Sequence, residues 1–103
     1  MIRHMVLLRF RAEVSAGERA ALMADLGGLR ARLPGIVGFT TLRNVSPEAV
    51  VVHGFEDGFG VDFRDAAARD AYLADEGHRA IGARLVAACD GGIEGLIVFD
   101  HAL

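Results

Sequence analysis

Cysteine is almost missing from this chain of 103 residues: Cys89 stands alone, and tryptophan does not occur at all. A single cysteine excludes an intrachain disulfide, which makes a reducing cytoplasm the expected setting. The neighbours Val86, Ala87 and Ala88 mark Cys89 as a small core residue rather than a nucleophile. Long apolar runs are missing too. Although 52% of the residues are hydrophobic, they are dispersed, and no run approaches the ~20 residues needed to cross a bilayer. The chain begins directly with a segment carrying Arg3, Arg9 and Arg11, so no signal peptide is expected. Basic runs are lacking as well. Lys+Arg number 11 against 14 Asp+Glu, a formal charge of −3, which argues against a nucleic-acid surface.

Several chemical motifs are absent. The histidines His4, His53, His78 and His101 show no H-x-x-H or H-E-x-x-H spacing and no paired cysteines, so no metal is expected. There is no P-loop, and Gly58-Phe59-Gly60 falls inside a strand, where it is not a phosphate cradle. No G-x-S-x-G nucleophile elbow occurs. No cofactor is expected.

What is present points to one domain over residues 1–103. Ile2 to Phe10 reads as a strand with large apolar residues on both faces. Ile2, His4, Val6, Leu8 and Phe10 share one face, and Arg3, Met5, Leu7 and Arg9 the other. A layer of helices can cover only one of these. Ser15 and Glu18 form an S-x-x-E capping box that starts a helix near Ala16. Leu22, Leu26, Leu29 and Leu33 then make one apolar stripe, and Pro34-Gly35 ends the helix. Gly27-Gly28 within it implies a bend or a close helix–sheet contact.

Ile36 to Val45 reads as a second strand, followed by a turn over Asn44 to Glu48. Val50-Val51-Val52 suggests a short edge segment. Phe55 to Phe63 is the third strand, with Gly58 and Gly60 on the face opposite Phe59, Val61 and Phe63. Asp65 caps a second helix through Tyr72 and Leu73. Asp75-Glu76-Gly77 interrupts it, and a further helical piece from about His78 buries Ile81, Leu85 and Ala88. Leu96 to Asp100 is a last strand.

The fold class is therefore α+β, a ferredoxin-like β-α-β-β-α-β order with an antiparallel sheet in the order 4-1-3-2 and the helices on one face. The other face exposes Met5 and Leu7, an apolar patch unusual for a monomer. A second copy with its sheet facing the first is the simplest cover, giving a homodimeric α/β barrel.

The start M-I-R-H-M-V-L-L-R-F-R, the segments N-V-S-P-E, G-F-E-D-G-F-G-V-D-F-R-D and A-Y-L-A-D-E-G-H, and the closing V-F-D resemble the stress-responsive dimeric A/B barrel domain family. The likeness runs from Met1 to about His101. It implies ferredoxin-like subunits pairing into a dimeric barrel, in a family many of whose members have no established activity. Members of the olivetolic acid cyclase type perform a cofactor-free aldol condensation with histidine, tyrosine and aspartate in a pocket between sheet and helices. Onto that pattern fall His4 in the first strand, Tyr72 and His78 in a Y-x-x-x-x-x-H segment, and Asp100 closing the last strand. A further histidine of that pattern is replaced here by Asp57, and the large aromatics around the pocket are fewer.

The residues themselves support the same grouping. Antiparallel pairing sets the end of the fourth strand beside the start of the first, so Asp100 and His4 reach one edge of the sheet, and the second helix brings Tyr72 and His78 over it. Histidine titrates near neutrality, and a carboxylate fixes its tautomer. Tyrosine donates to an enolate or alkoxide oxygen. In that scheme His78 is the base, Tyr72 the donor, Asp100 the orienter and His4 a polar wall. A purely structural arrangement also fits, with His4 bonded to Asp100, His78 capping its helix and Tyr72 packed with a wet hydroxyl. His53 reads as a surface turn residue, and His101 as pointing to the opposite face. Two classes of function stay open: a ligand-binding or non-catalytic homodimer, and a cofactor-independent cyclase, lyase or isomerase acting on a small apolar carbonyl compound. A cofactor-free monooxygenase is a third option. The expected partner is a second copy of the chain, with no nucleic acid and no membrane.

Overall fold

A computed structural model describes residues 1–103. The strands are β1 (Ile2–Leu8), β2 (Ile36–Arg43), β3 (Asp57–Phe63) and β4 (Leu96–Ala102). The helices are α1 (Ala16–Gly28), α2 (Ala49–Val52), α3 (Ala66–Ala74) and α4 (Glu76–Ala88). The sheet order is β2-β3-β1-β4, antiparallel throughout, which is the expected 4-1-3-2 order read from the other edge.

Local chemistry sets the helix boundaries. Ser15 accepts from the Glu18 amide while the Glu18 carboxylate accepts from the Ser15 amide, so the capping box is complete. Leu22 and Leu26 are buried on α1, and Leu29 in the single 3-10 turn that follows it. Each fully buried leucine stabilises the fold by about 1.5–3 kcal/mol. Gly27 is where α1 closes on the sheet: a Cβ there would stand 3.2 Å from the Phe39 ring. The contact expected at the paired glycines is thus made by the first of them.

The core lies between the helices and one sheet face. Val6 and Leu8 of β1 and Phe59, Val61 and Phe63 of β3 are buried with Leu22, Leu26, Tyr72, Ile81 and Leu85. Cys89 is buried in the same cluster. On the other face Arg3, Met5 and Leu7 are only half-buried, and Ile97 and Phe99 of β4 are 44% and 63% exposed. Gly58 and Gly60 line this face for different reasons. A Cβ on Gly58 would come within 2.6 Å of the Val6 carbonyl oxygen, so the close approach of β1 requires glycine there. Gly60 meets nothing within 4 Å. It floors a hollow of about 320 Å³ rimmed by Met5, Thr40, Leu42 and the Arg3–Asp62 ion pair.

Several boundaries differ from expectation: β1 stops at Leu8, with Phe10 left in an isolated bridge to Cys89, and β4 runs on past Asp100 to Ala102. β2 stops at Arg43, two residues short of Val45, and β3 begins at Asp57 rather than Phe55. Val50-Val51-Val52 is no edge strand: it lies in the one-turn helix α2, with Val50 89% exposed. The β-branched side chains favour a strand, but β2 has ended before them and they pair with no neighbouring strand. The turn closes locally instead, with the Val51 amide donating to the Glu48 carbonyl. No helix is long and apolar enough to cross a membrane.

Candidate functional site

His4 is the one polar residue in the buried core, only 4% exposed. The β1–β4 register places it directly opposite Asp100. His4 Nδ1 lies 2.6 Å from Asp100 Oδ1, and Arg69 Nη1 donates to Asp100 Oδ2 at 3.2 Å. The carboxylate therefore bridges a buried imidazole and a half-exposed guanidinium. A proton on Nδ1 directed at Asp100 holds the imidazole ring in this orientation.

Above His4 sits Tyr72 of α3, 1% exposed. Its ring meets His4 edge-on at 5.9 Å between centroids, Phe63 at 5.0 Å and His78 at 4.0 Å. The sequence grouping of His4, Tyr72, His78 and Asp100 is thus a contiguous cluster in space. Two of its polar atoms, Tyr72 Oη and His78 Nδ1, are buried without a hydrogen-bond partner. Leaving such a group unpaired costs about 1–3 kcal/mol. Burial holds the Tyr72 phenol far above its usual titration range. Burial, and then the charge of His4, push the His78 imidazole below its usual value, against the opposing pull of Asp75 and the Leu73 carbonyl. At neutral pH the cluster accordingly presents a phenolic O–H donor beside an uncharged imidazole.

The break between α3 and α4 positions His78. Asp75 leaves the helical conformation and caps α4, accepting from the His78 amide at 2.9 Å. Arg32 grips the same carboxylate through both terminal nitrogens, at 3.0 and 2.9 Å. That grip, and then the bond from the His78 amide, bring the Asp75 carboxyl down to about 2. Arg32 and Arg69 were not among the expected site residues. Arg69 carries one legible signal: it lies three residues before Tyr72, on the same face of a helix. Arg32 carries none, because its partner is 43 residues away.

The largest open space lies elsewhere. A groove of about 620 Å³ runs between α1 and the β2–β3 edge, with Phe10, Ala20, Met23 and Phe39 on its walls and Arg19, Arg43 and Asp57 at one end. Its wall residue Phe39 is in register with Val61 and, through it, with His4, so the groove lies two strands across the sheet from His4, about 10 Å at ~4.8 Å per strand. None of the four principal cavities is lined by His4, Tyr72, His78 or Asp100. The principal space between sheet and helices thus lies over β2 and β3, to one side of the polar cluster. His53 is exposed at the end of α2, and His101 lines the hollow on the open sheet face. No three His, Cys, Asp or Glu side chains gather as a metal site.

An antiparallel ferredoxin-like sheet with helices on one side and an apolar open face on the other defines the class of protein. The particular family follows from comparison. The model of the Stress responsive A/B Barrel Domain (Dabb) matches residues 2–102, and the chain belongs to that family. It is 33% identical to a dimeric ferredoxin-like protein of unknown function from Jannaschia sp. CCS1, over 99% of this chain and 98% of that one, with a TM-score of 0.89. A Dabb family protein from Mesorhizobium loti shares 24% identity over 99% of this chain and 95% of its own, with a TM-score of 0.76. The hydroxynitrile lyase of Passiflora edulis has the same fold at 20% identity, over 99% and 92% of the two chains, with a TM-score of 0.83. No functionally curated protein matches the chain.

Proposed function

We propose that the protein is a homodimer in which each subunit binds a small, largely apolar molecule in the groove between α1 and the sheet. The observation that carries this is the groove itself. At about 620 Å³ it falls within the ~300–1,000 Å³ of small-molecule sites, and apolar side chains dominate its walls. Pairing of two subunits through their open sheet faces would bury Met5, Leu7, Ile97 and Phe99, which otherwise stay in contact with water. The Jannaschia relative is dimeric, which supports the same arrangement. Native mass spectrometry tests both parts together: the expected species has twice the 11.0 kDa chain mass and gains one small apolar ligand per subunit. A folded monomer would refute the dimer, and a dimer that takes up no ligand would refute the groove.

A second function is favoured by one specific observation, the two unpartnered polar atoms buried at Tyr72 and His78. In a cofactor-independent lyase, cyclase or isomerase, His78 Nδ1 accepts a proton from the carbon next to a substrate carbonyl. The Tyr72 hydroxyl donates to the enolate oxygen that forms, and His4, oriented by Asp100, walls the site. The proton returns from His78 to carbon, or the enolate carbon attacks a second carbonyl of the same molecule and the alkoxide that forms takes the proton back from His78. A hydroxynitrile lyase shares the fold, which supports a lyase among these options. None of the four principal cavities reaches the cluster, so in this reading substrate enters by an opening at the break between α3 and α4. Replacing His78 with alanine then abolishes turnover and leaves folding intact; unchanged turnover removes His78 as the base. No observation favours the monooxygenase option.

A further inference from the structure

We propose that the groove between α1 and the sheet selects an amphipathic anion, an apolar body carrying a carboxylate head, and that Arg43 receives the head. This rests on the groove being a ligand site, as proposed above, and assigns the chemical class of its ligand. Three charged side chains line the groove, Arg19, Arg43 and Asp57, so two guanidinium groups face one carboxylate and leave one positive charge over.

The two arginines are not equivalent. Arg19 has each of its three nitrogens engaged: Nε with the Val14 carbonyl at 3.0 Å, Nη1 with Asp57 at 3.3 Å and Nη2 with the Arg11 carbonyl at 3.2 Å. Its guanidinium also lies over the Phe10 ring, 5.0 Å from the centroid. It is a fixed post that holds Asp57. Asp57 in turn spends one oxygen on each arginine, accepting from Arg43 Nη1 at 3.1 Å. Arg43 makes that single bond, and its side chain is 66% exposed. Its Nε and Nη2 are left to bond an incoming group.

An arginine that is steered by one carboxylate and has donors to spare fits a second carboxylate in the planar, two-pronged manner guanidinium allows. The rest of the groove suits only an apolar body. Phe10, Met23 and Phe39 are its large apolar wall residues, Ala20 and Ala24 keep the α1 side low, and Gly27 leaves open the width a side chain would take. A cation would meet Arg43 and Arg19 at the mouth. A neutral chain would gain the wall contacts without the head contact.

Isothermal titration calorimetry of the full chain with octanoate, octan-1-ol and octyltrimethylammonium in the same buffer tests the assignment. Octanoate is expected to bind at least tenfold more tightly than octan-1-ol, and octyltrimethylammonium not to bind. Arg43→Ala should bring octanoate down to the affinity of octan-1-ol and leave octan-1-ol unchanged. Met23→Trp, which fills the groove, should abolish both. Equal affinities for octanoate and octan-1-ol, or a preference that survives Arg43→Ala, would overturn the anion assignment and leave the groove as a neutral site. Binding that survives Met23→Trp would place the ligand elsewhere and overturn it too. If neither octanoate nor octan-1-ol binds, the groove itself is refuted as a site.

Discussion

Replacing Tyr72 with phenylalanine isolates the most informative atom of the buried cluster. The ring stays, with its contacts to Phe63 at 5.0 Å and His78 at 4.0 Å, so no ring-sized cavity opens. Only Oη is lost, and it has no hydrogen-bond partner in a side chain 1% exposed. In the unfolded chain the same hydroxyl is hydrated, so folding strips it of water and returns nothing. The variant should therefore be more stable than the wild type by about 1–3 kcal/mol, the usual cost of an unsatisfied buried polar group. For a domain near 100 residues, 1 kcal/mol moves Tm by ~4–8 °C, so differential scanning calorimetry at matched protein concentration resolves the effect easily. The direction decides the matter. A fall in stability of about 1 kcal/mol or more, read as a fall in Tm of ~4–8 °C or more, would mean that the hydroxyl is bonded in the resting protein and that Tyr72 is a structural residue. A rise, joined with loss of turnover, is the pattern of a site that keeps a donor unpaired at a cost in stability.

Other outcomes follow from the same geometry. Asp100→Ala leaves His4 Nδ1 and Arg69 without their carboxylate and should cost about 1.5–3 kcal/mol in urea denaturation, far more than a surface change. The folded protein holds the His78 imidazole below its ordinary 6.5, so the unfolded chain binds more protons on acidification. Its contribution is present above pH 6.5 and is lost as pH falls towards the lower folded value. Wild-type stability should thus decline from pH 7 to 5 more steeply than that of His78→Gln; parallel curves would contradict the burial of His78. Gly60→Leu fills the hollow on the open sheet face, where nothing within 4 Å resists it, so sedimentation should show a folded monomer if that face seats a partner. An intact dimer would place the partner elsewhere.

Local chemistry and strand alternation made much of the fold legible. Ser15 and Glu18 form a cap three residues apart, and Asp65 and Asp75 cap their helices in the same short-range way. The alternation of β1 placed His4 on the helix side, and antiparallel logic set Asp100 opposite it. The sequence reading failed where distant partners or packing decide. Three consecutive valines read as strand, yet a strand exists only beside another, and Val50 to Val52 have none. Arg69 and Arg32 enter the site through Asp100 and Asp75, which lie 31 and 43 residues away. The groove is hidden for a further reason. It exists because the side chains of Met23, Phe39 and Phe10 do not fill the space between α1 and β2, and a pattern of apolar positions does not record how well they fill it.

The central claim is that a small apolar molecule enters between α1 and the sheet, and amide chemical shifts test it most directly. Titrating octanoate into the isotopically labelled protein should shift the amides of α1 from Ala20 to Gly27 and of β2 from Phe39 to Arg43, saturably and in one phase. Shifts confined to the open face around Met5, Gly60 and Phe99, or no saturable shift at all, would contradict it.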